Sequence, residues 1–548
     1  MTVSSSFSPD AGRDNGFCHS FSQKISNVYR RNRCSPQSQK SKVKIDRMNF
    51  STLKKPLFPQ ILVIDRLEVG PVKLEKRRLI APYTVVKGTF SEQTELIFSY
   101  EEDVFTPGEA ASQQLANMIA AQIALNYGLF CKQIVFHGAF TEVDRQFLLA
   151  MADNTATEIY VNKLLQPNPF LIGDAAKLPV LRKKSYLQST LVFPDPLPEK
   201  LPQWQGDTKK IAILSSGGKD SLLSYGALNE IGYEVHPIFG NESGRHWFTA
   251  LNSYRHFRDH VPHTARVWMN SDRLFSWMLR RLPFIRQDFA TIRADIYPIR
   301  LWTVAVFLFS ILPLVRKRGI ARVVIGDEYD STWVDAYEGI EHYSGLYDQS
   351  RFFDEALSQY FQQNGWGLQQ FSVLRPLSEM LILKILVNRY PDLQMHQVSC
   401  HASHKEGERV HPCGKCEKCR RIVGMLVAFG ADPQRCGYSP AQISHCLNDL
   451  KTKGVHQESA GAQHLLWLLT QRGHLTLPPR EQELLKSHPN IMKLRFHPDR
   501  SPVDLLPKDL RKPLFKLYLE HANGTVRHNG EKWMSYDPLN DKTFDKTQ

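Results

Sequence analysis

The sequence predicts an α/β protein built on a doubly wound parallel sheet, preceded by an α/β or α+β segment and followed by a mainly helical region. Three observations carry this. From about residue 206, short apolar runs alternate with helix-like segments. A polar glycine turn, "SSGGKDS" within Ile213–Leu228, separates a strand-like run from a helix-like one. Six of the nine cysteines crowd between Cys400 and Cys446.

The elements follow in order. At 548 residues the chain is long enough for two to four domains. Residues 1–48 hold nine Lys/Arg against three Asp/Glu and are rich in Ser, Gln and Asn, so they read as a disordered basic tail. Much of the formal net charge of +14 sits there, and the body shows no sustained cationic face interleaved with aromatics. Dedicated nucleic-acid binding is therefore not expected. The tail has no apolar h-region, and the longest apolar run, Leu301–Val315, is short for a bilayer and contains Pro313. It reads as a buried helix, and the expectation is a cytoplasmic protein without a membrane segment.

Residues 49–205 form an N-terminal block: "QILVIDRLEV", "TELIFSY" and "KQIVFHGAF" read as strands and "EAASQQLANMIAAQIALNYG" as a helix. Its end, "FPDPLPEKLPQWQGDTKK", has the prolines and polar residues of a linker. In residues 206–436, "KKIAILSS", "YEVHPIFG" and "IARVVIGDE" read as buried strands, with helices at "SLLSYGALNEIG" and "LWTVAVFLFSILPLVRKRG". In residues 437–548, "SPAQISHCLNDL", "AGAQHLLWLLTQRG" and "PLFKLYLEHANG" read as helices.

The glycine turn falls where the first strand of the α/β unit ends and its helix begins. Ser215, Ser216, Gly217, Gly218, Lys219, Asp220 and Ser221 then surround a helix N-terminus whose backbone N–H groups form an anion site. Adjacent glycines permit unusual dihedrals and leave room for a phosphate. The hydroxyls and Lys219 add donors, and Asp220 offers a contact for Mg²⁺. The spacing is neither a Walker A loop nor a dinucleotide fingerprint. Arg300, Gly326, Asp327, Glu328 and Asp330 lie at or near strand ends expected to face the same pocket.

Cys413, Cys416 and Cys419 form C-G-K-C-E-K-C, two overlapping C-x2-C spacings, with Cys400 thirteen residues upstream. Three thiolates from one tight turn, with Cys400 as the fourth, fit a structural Zn²⁺ site, with an iron–sulfur cluster as the competing reading. His401, His404 and His411 share the loop and could replace Cys400. Cys436 and Cys446 read as buried thiols.

"SGGKDS" resembles the S-G-G-x-D-S motif of the PP-loop ATP pyrophosphatases, Rossmann-like proteins that cleave ATP to AMP and pyrophosphate. Together with S-C, a spacer and C-G-x-C-x-x-C, it resembles the 7-cyano-7-deazaguanine synthases, also called QueC, over roughly residues 208–430. "GYEVHPIFGNESGRHW" and the segment from "YPIRLW" to "VVIGDEYD" extend the likeness. That family adenylates a deazaguanine carboxylic acid and lets ammonia displace AMP, beside a structural zinc. The resemblance implies ATP, Mg²⁺ and Zn²⁺, ligands Cys400, Cys413, Cys416 and Cys419, and roles in ATP chemistry for Lys219, Asp220 and Arg300.

The departures fall elsewhere. Phe239-Gly240-Asn241 stands where the family has Y-G-Q, Leu301 where it has asparagine, and "LYDQSRFF", with Asp348 and Arg351, where it has Tyr-Pro-Asp-Cys-Arg. The resemblance thus implies shared ATP chemistry and leaves the acceptor open: a deazapurine acid with ammonia, or another carboxylate or amide oxygen. Two alternatives remain. One is the sulfur transfer to tRNA or a cofactor that related PP-loop proteins perform. The other is a place in a multi-protein system, such as bacterial defence, with the flanking domains docking protein partners.

Overall fold

Residues 56–198, 201–242, 244–292, 296–400, 402–455 and 457–541 are described by a computed structural model. The tail expected over residues 1–48, with Cys18 and Cys34, and His401 lie outside them. In the first segment, β1 (Ile64–Val69), the short β2 (Lys73–Glu75), β3 (Arg78–Lys87) and β4 (Phe90–Tyr100) precede helix α1 (Ala110–Ala121). Then come β5 (Cys131–Phe136), α2 (Glu142–Ile159) and β6 (Thr190–Val192). Alternation is clearest in β3, where Leu79, Ala81, Tyr83 and Val85 are buried and their neighbours half-buried. β3 pairs antiparallel with β1, β2 and β4, whereas β5 runs parallel to both β1 and β6.

The second segment alternates strand and helix: β7 (Asp207–Ser215), α3 (Lys219–Glu230), β8 (Glu234–Asn241), α4 (Arg245–His260), β9 (Ala265–Met269) and α5 (Ser271–Leu279). It continues with α6 (Val304–Lys317), β10 (Ile320–Val324), the hairpin β11 (Asp335–Tyr337) and β12 (Ile340–His342), α7 (Arg351–Gln363), β13 (Gln369–Phe371) and α8 (Glu379–Arg389). Its strands lie in the order β13-β10-β7-β8-β9, all parallel. Along β7, Ile211 and Ile213 enter one apolar cluster with α3, α4 and α8, while Ala212 and Leu214 face another with α5, α6 and α7. Helices therefore cover both faces, and the order reverses between β7 and β10, the position at which such sheets open a crevice at their strand ends.

The change of pattern near residue 205 marks a change from mixed to parallel pairing without a break in the sheet. β4 pairs antiparallel with β9 through Phe98↔Met269, Ser99↔Trp268 and Tyr100↔Val267, giving one eleven-stranded sheet. The linker-like stretch is anchored as well: Trp204 stacks on Trp366 at 4.4 Å, and its N–H donates to the Gly365 carbonyl. The apolar run around Pro313 is helix α6, with ten buried residues. Among the described residues no helix is long and apolar enough to cross a membrane.

A third segment begins with the hairpin β14 (His404–Glu406) and β15 (Arg409–His411) and helix α9 (Glu417–Ala428). Helices α10 (Pro440–Leu450), α11 (Ser459–Gln471) and α12 (Lys508–Leu519) follow, close to the three helical stretches expected beyond residue 437. That region also holds a sheet of β16 (Leu494–Phe496), β17 (Thr525–His528) and β18 (Trp533–Ser535). Strands of three or four residues are too short for a period of two to stand out in sequence, so this sheet was not expected.

Candidate functional site

The glycine turn lies at the carboxyl end of β7, beside the reversal of strand order. Gly217 has φ +70°, and a Cβ there would stand 3.0 Å from the Ala250 Cα and the Ser253 Cβ on α4. Only glycine fits both the left-handed backbone and the close packing. Gly218 is the N-cap of α3 with no side-chain hydrogen bond to the helix, so neither Ser216 nor Asp220 caps it. The first-turn N–H groups of α3 therefore have no side-chain cap. Ser215 Oγ and Ser216 Oγ accept from Gly217 N–H and Gly218 N–H at 3.4 Å, and Ser221 Oγ donates to the Gly218 carbonyl at 3.1 Å. Gly326, just beyond β10, packs against the start of α3, where a Cβ would come 2.7 Å from the Asp220 Cβ.

Lys219 turns away from open solvent into a carboxylate cluster. Its buried Nζ donates to Asp220 at 2.7 Å and Glu328 at 3.0 Å and stands 3.4 Å from Glu379. Burial opposes its charge, but the three carboxylates outweigh burial and hold it protonated well above the ordinary lysine range. For Glu328 burial wins over the pull of Lys219, aided by Asp330, Asp220 and Glu379, and its carboxyl is raised well above the ordinary range. Asp330 is raised by burial and by Glu379 and Glu458. Arg421 of α9 reaches the same cluster, 3.5 Å from Glu379 and 3.6 Å from Glu417. Four carboxylates around Lys219 and Arg421 leave a negative surplus beside the glycine turn.

Asp327 lies inside the protein at 4% exposure. It is 3.4 Å from Arg375, whose guanidinium also donates to Asp354 at 2.6 and 2.9 Å. Burial raises the Asp327 carboxyl against the pull of Arg375. Arg300 is separate from the glycine turn in its contacts. Its guanidinium lies 3.7 Å from the Tyr297 ring centre and 3.4 Å from Asp272, at the carboxyl end of β9. Burial disfavours its charge, but Tyr297, Glu242 and Asp272 more than compensate and raise its pKa. Glu242 follows directly after β8, so Arg300 belongs to a polar group two strands along the same sheet edge. Asp348 accepts the N–H groups of Thr303, Val304 and Ala305 and thereby anchors the start of α6.

Cys400, Cys413, Cys416 and Cys419 converge with their sulfurs within 4.8 Å of one another, and no disulfide joins them. The pairs Cys413–Cys419, Cys400–Cys416 and Cys416–Cys419 are 3.9, 4.0 and 3.5 Å apart. Tetrahedral ligands about 2.3 Å from zinc stand about 3.8 Å apart, so the cluster fits a closed four-thiolate site. Backbone N–H groups of Ala402 and Cys413 donate to the Cys400 sulfur, and those of Lys415 and Cys416 to the Cys413 sulfur. Gly414, at φ +66°, could not carry a side chain because a Cβ would meet Gln442 at 2.4 Å. Among the described residues, His404 and His411 stay outside this group, and Cys436 and Cys446 are buried thiols.

Glu379, Arg421, Arg375 and Asp354 escaped the reading of the sequence. The faint signal was a carboxylate directly after the N-cap Ser378, and paired arginines directly after the last zinc-type cysteine.

No family model matches the chain. Among curated proteins, the 7-cyano-7-deazaguanine synthase of Chlorobium luteolum is 28% identical over 225 residues, 39% of this chain and 89% of that protein. This chain thus carries a domain similar to that synthase and of its PP-loop kind, while most of its length lies outside the match.

Proposed function

We propose that the protein is an ATP-dependent adenylating enzyme that forms AMP and pyrophosphate, activating a carboxylate or amide oxygen for attack by ammonia or an amine. The observation that carries this reading is the uncapped N-terminus of α3, opened by Gly217 at the reversal of strand order and faced by the carboxylates around Lys219. The similarity to a synthase supports it.

In this reading the first-turn N–H groups of α3 and the hydroxyls of Ser216 and Ser221 bind the pyrophosphate end of ATP. Asp220 and Glu328 would hold Mg²⁺, which neutralises phosphate charge when bound. Lys219, fixed by its carboxylates, holds those side chains in place and keeps a positive charge near the leaving group. The Arg300 group, with Glu242 and Asp272, orients the acceptor at the neighbouring strand ends. The thiolates of Cys400, Cys413, Cys416 and Cys419 would hold Zn²⁺, which fixes the start of α9 and hence Arg421.

The test is nucleotide product analysis with Mg²⁺-ATP and a set of carboxylic acids, 7-carboxy-7-deazaguanine included, with ammonium or amines. AMP and pyrophosphate should form only with an acceptor present, and Gly217→Ala should slow this by about tenfold or more, since a Cβ there meets α4 at Ala250 and Ser253 and disfavours the left-handed backbone that shapes the turn. ADP and phosphate as products would refute the reading.

A further inference from the structure

A cavity of about 510 Å³ lies between the loop after β10 and the C-terminal sheet. None of Ser215–Ser221 lines it. Tyr329 and Trp333 form one wall, Arg495, His528 and Trp533 of the small sheet the other, and Arg500 crosses between them. Its size is that of a small-molecule pocket.

The charges in this cavity are unequally compensated. Arg495 is buried and bound by both oxygens of Glu458 at 2.7 Å. Arg500 makes no ion pair among the described residues; its guanidinium lies 3.7 Å from the centre of the Trp333 ring and 5.4 Å from that of Tyr329. His497 and His528 stack at 4.7 Å, and burial and the charge of His528 lower the His497 pKa to about 4, so His497 adds no charge at neutral pH. The cavity thus offers the Arg500 guanidinium, which bonds to the Tyr329 hydroxyl and shares the pull of Glu458 with Arg495, set against one indole and a phenol, with Trp533 on the opposite wall and Trp333 41% exposed. Such a site suits an anion attached to a planar ring: the guanidinium takes phosphate oxygens, and the exposed Trp333, which carries Arg500 on one face, offers its other face to the ring.

We infer that this cavity is a second ligand site, for a nucleoside monophosphate, either free or at the phosphorylated end of a nucleic-acid strand. The inference stands apart from the ATP chemistry proposed above, although the loop that walls the cavity begins with Asp327 and Glu328.

The experiment uses the full chain with the glycine-turn site saturated by a non-hydrolysable ATP analogue. GMP, guanosine, inorganic phosphate and a 5′-phosphorylated trinucleotide are titrated in turn, read by tryptophan fluorescence and calorimetry. GMP or the trinucleotide should bind saturably with one site per chain, and guanosine and phosphate should each bind more weakly by about tenfold or more. Tighter binding of the trinucleotide would identify a strand end as the source, and tighter binding of GMP a free nucleotide. Arg500→Gln should weaken binding by about tenfold or more and leave binding of the ATP analogue intact. Trp333→Ala provides the second variant, and circular dichroism checks that both fold. Absence of saturable binding at millimolar ligand, or binding that both folded variants leave unchanged, would overturn the inference.

Discussion

Glu158 and Asp348 show how a buried residue's surroundings set its charge. Burial pushes the Glu158 carboxyl up to about 7, although the N–H groups of Tyr343 and Gly345 bond to it, and pushes Asp348 up to about 6 despite three backbone N–H groups. Both bind protons more tightly folded than unfolded, so they favour the fold below the unfolded values of 4.5 and 3.8 and lose that advantage as pH rises through the folded values. The contribution of these two groups to stability should therefore fall between about pH 5 and 7.5, with Glu158 contributing up to about 3 kcal/mol, against the opposite trend of buried histidines such as His497. Urea midpoints at the two pH values would check this. Glu158→Gln should fall less than the parent, and an equal fall would show that Glu158 does not titrate there. Glu158 did not stand out in the sequence and Asp348 did so only within "LYDQSRFF", because their buried, raised character comes from chain segments about 185 and 45 residues away that supply the N–H groups.

At the scale of elements, α9 links the thiolate cluster to the carboxylates around Lys219. Its N-cap is Cys416, its first turn carries Cys419, and Arg421 points from it toward Glu379 and Glu417. A metal holding the four sulfurs would therefore position a cation of the candidate ATP site. Cys419→Ser should lower bound zinc from about one per chain to near zero, lower the melting temperature by several degrees and remove ATP turnover. Metal analysis alongside thermal melting measures this, and stoichiometric iron in the parent protein would rule out zinc as the ion. The glycine turn and the cysteine spacing were readable because each is contiguous: a local backbone conformation and a local ligand set leave their marks within a few residues. β3 was harder to read, since Pro82 interrupts its pattern, yet it forms ten residue pairs with β4.

Across the whole molecule, one sheet joins the N-terminal strands to the parallel set, and one apolar cluster runs from Phe58 through α1 and α2 to α6 and α7. Removing residues before 206 would bare the edge of β9 that Phe98–Tyr100 now covers, together with the apolar face of α6. Unpaired strand edges and large apolar patches drive aggregation. A chain of residues 206–548 should therefore give about a tenth or less of the soluble yield of the full chain and bind a hydrophobic dye strongly. Soluble expression and dye fluorescence are the readouts, and a soluble fragment with a cooperative melt would show that the α/β unit stands by itself.

The sequence alone determined what depends on neighbours along the chain: alternating strands and helices, a glycine turn at Ser215–Ser221 between a strand and a helix, and four cysteines that come together. The tertiary structure decided what depends on distant segments meeting. It placed Lys219 among Asp220, Glu328 and Glu379, put Arg300 beside Asp272, carried the sheet on through β4 and β9, and closed a cavity around Arg500. Periodicity and motif spacing record short-range geometry, whereas burial, charge compensation and strand pairing are set by contacts far apart in sequence.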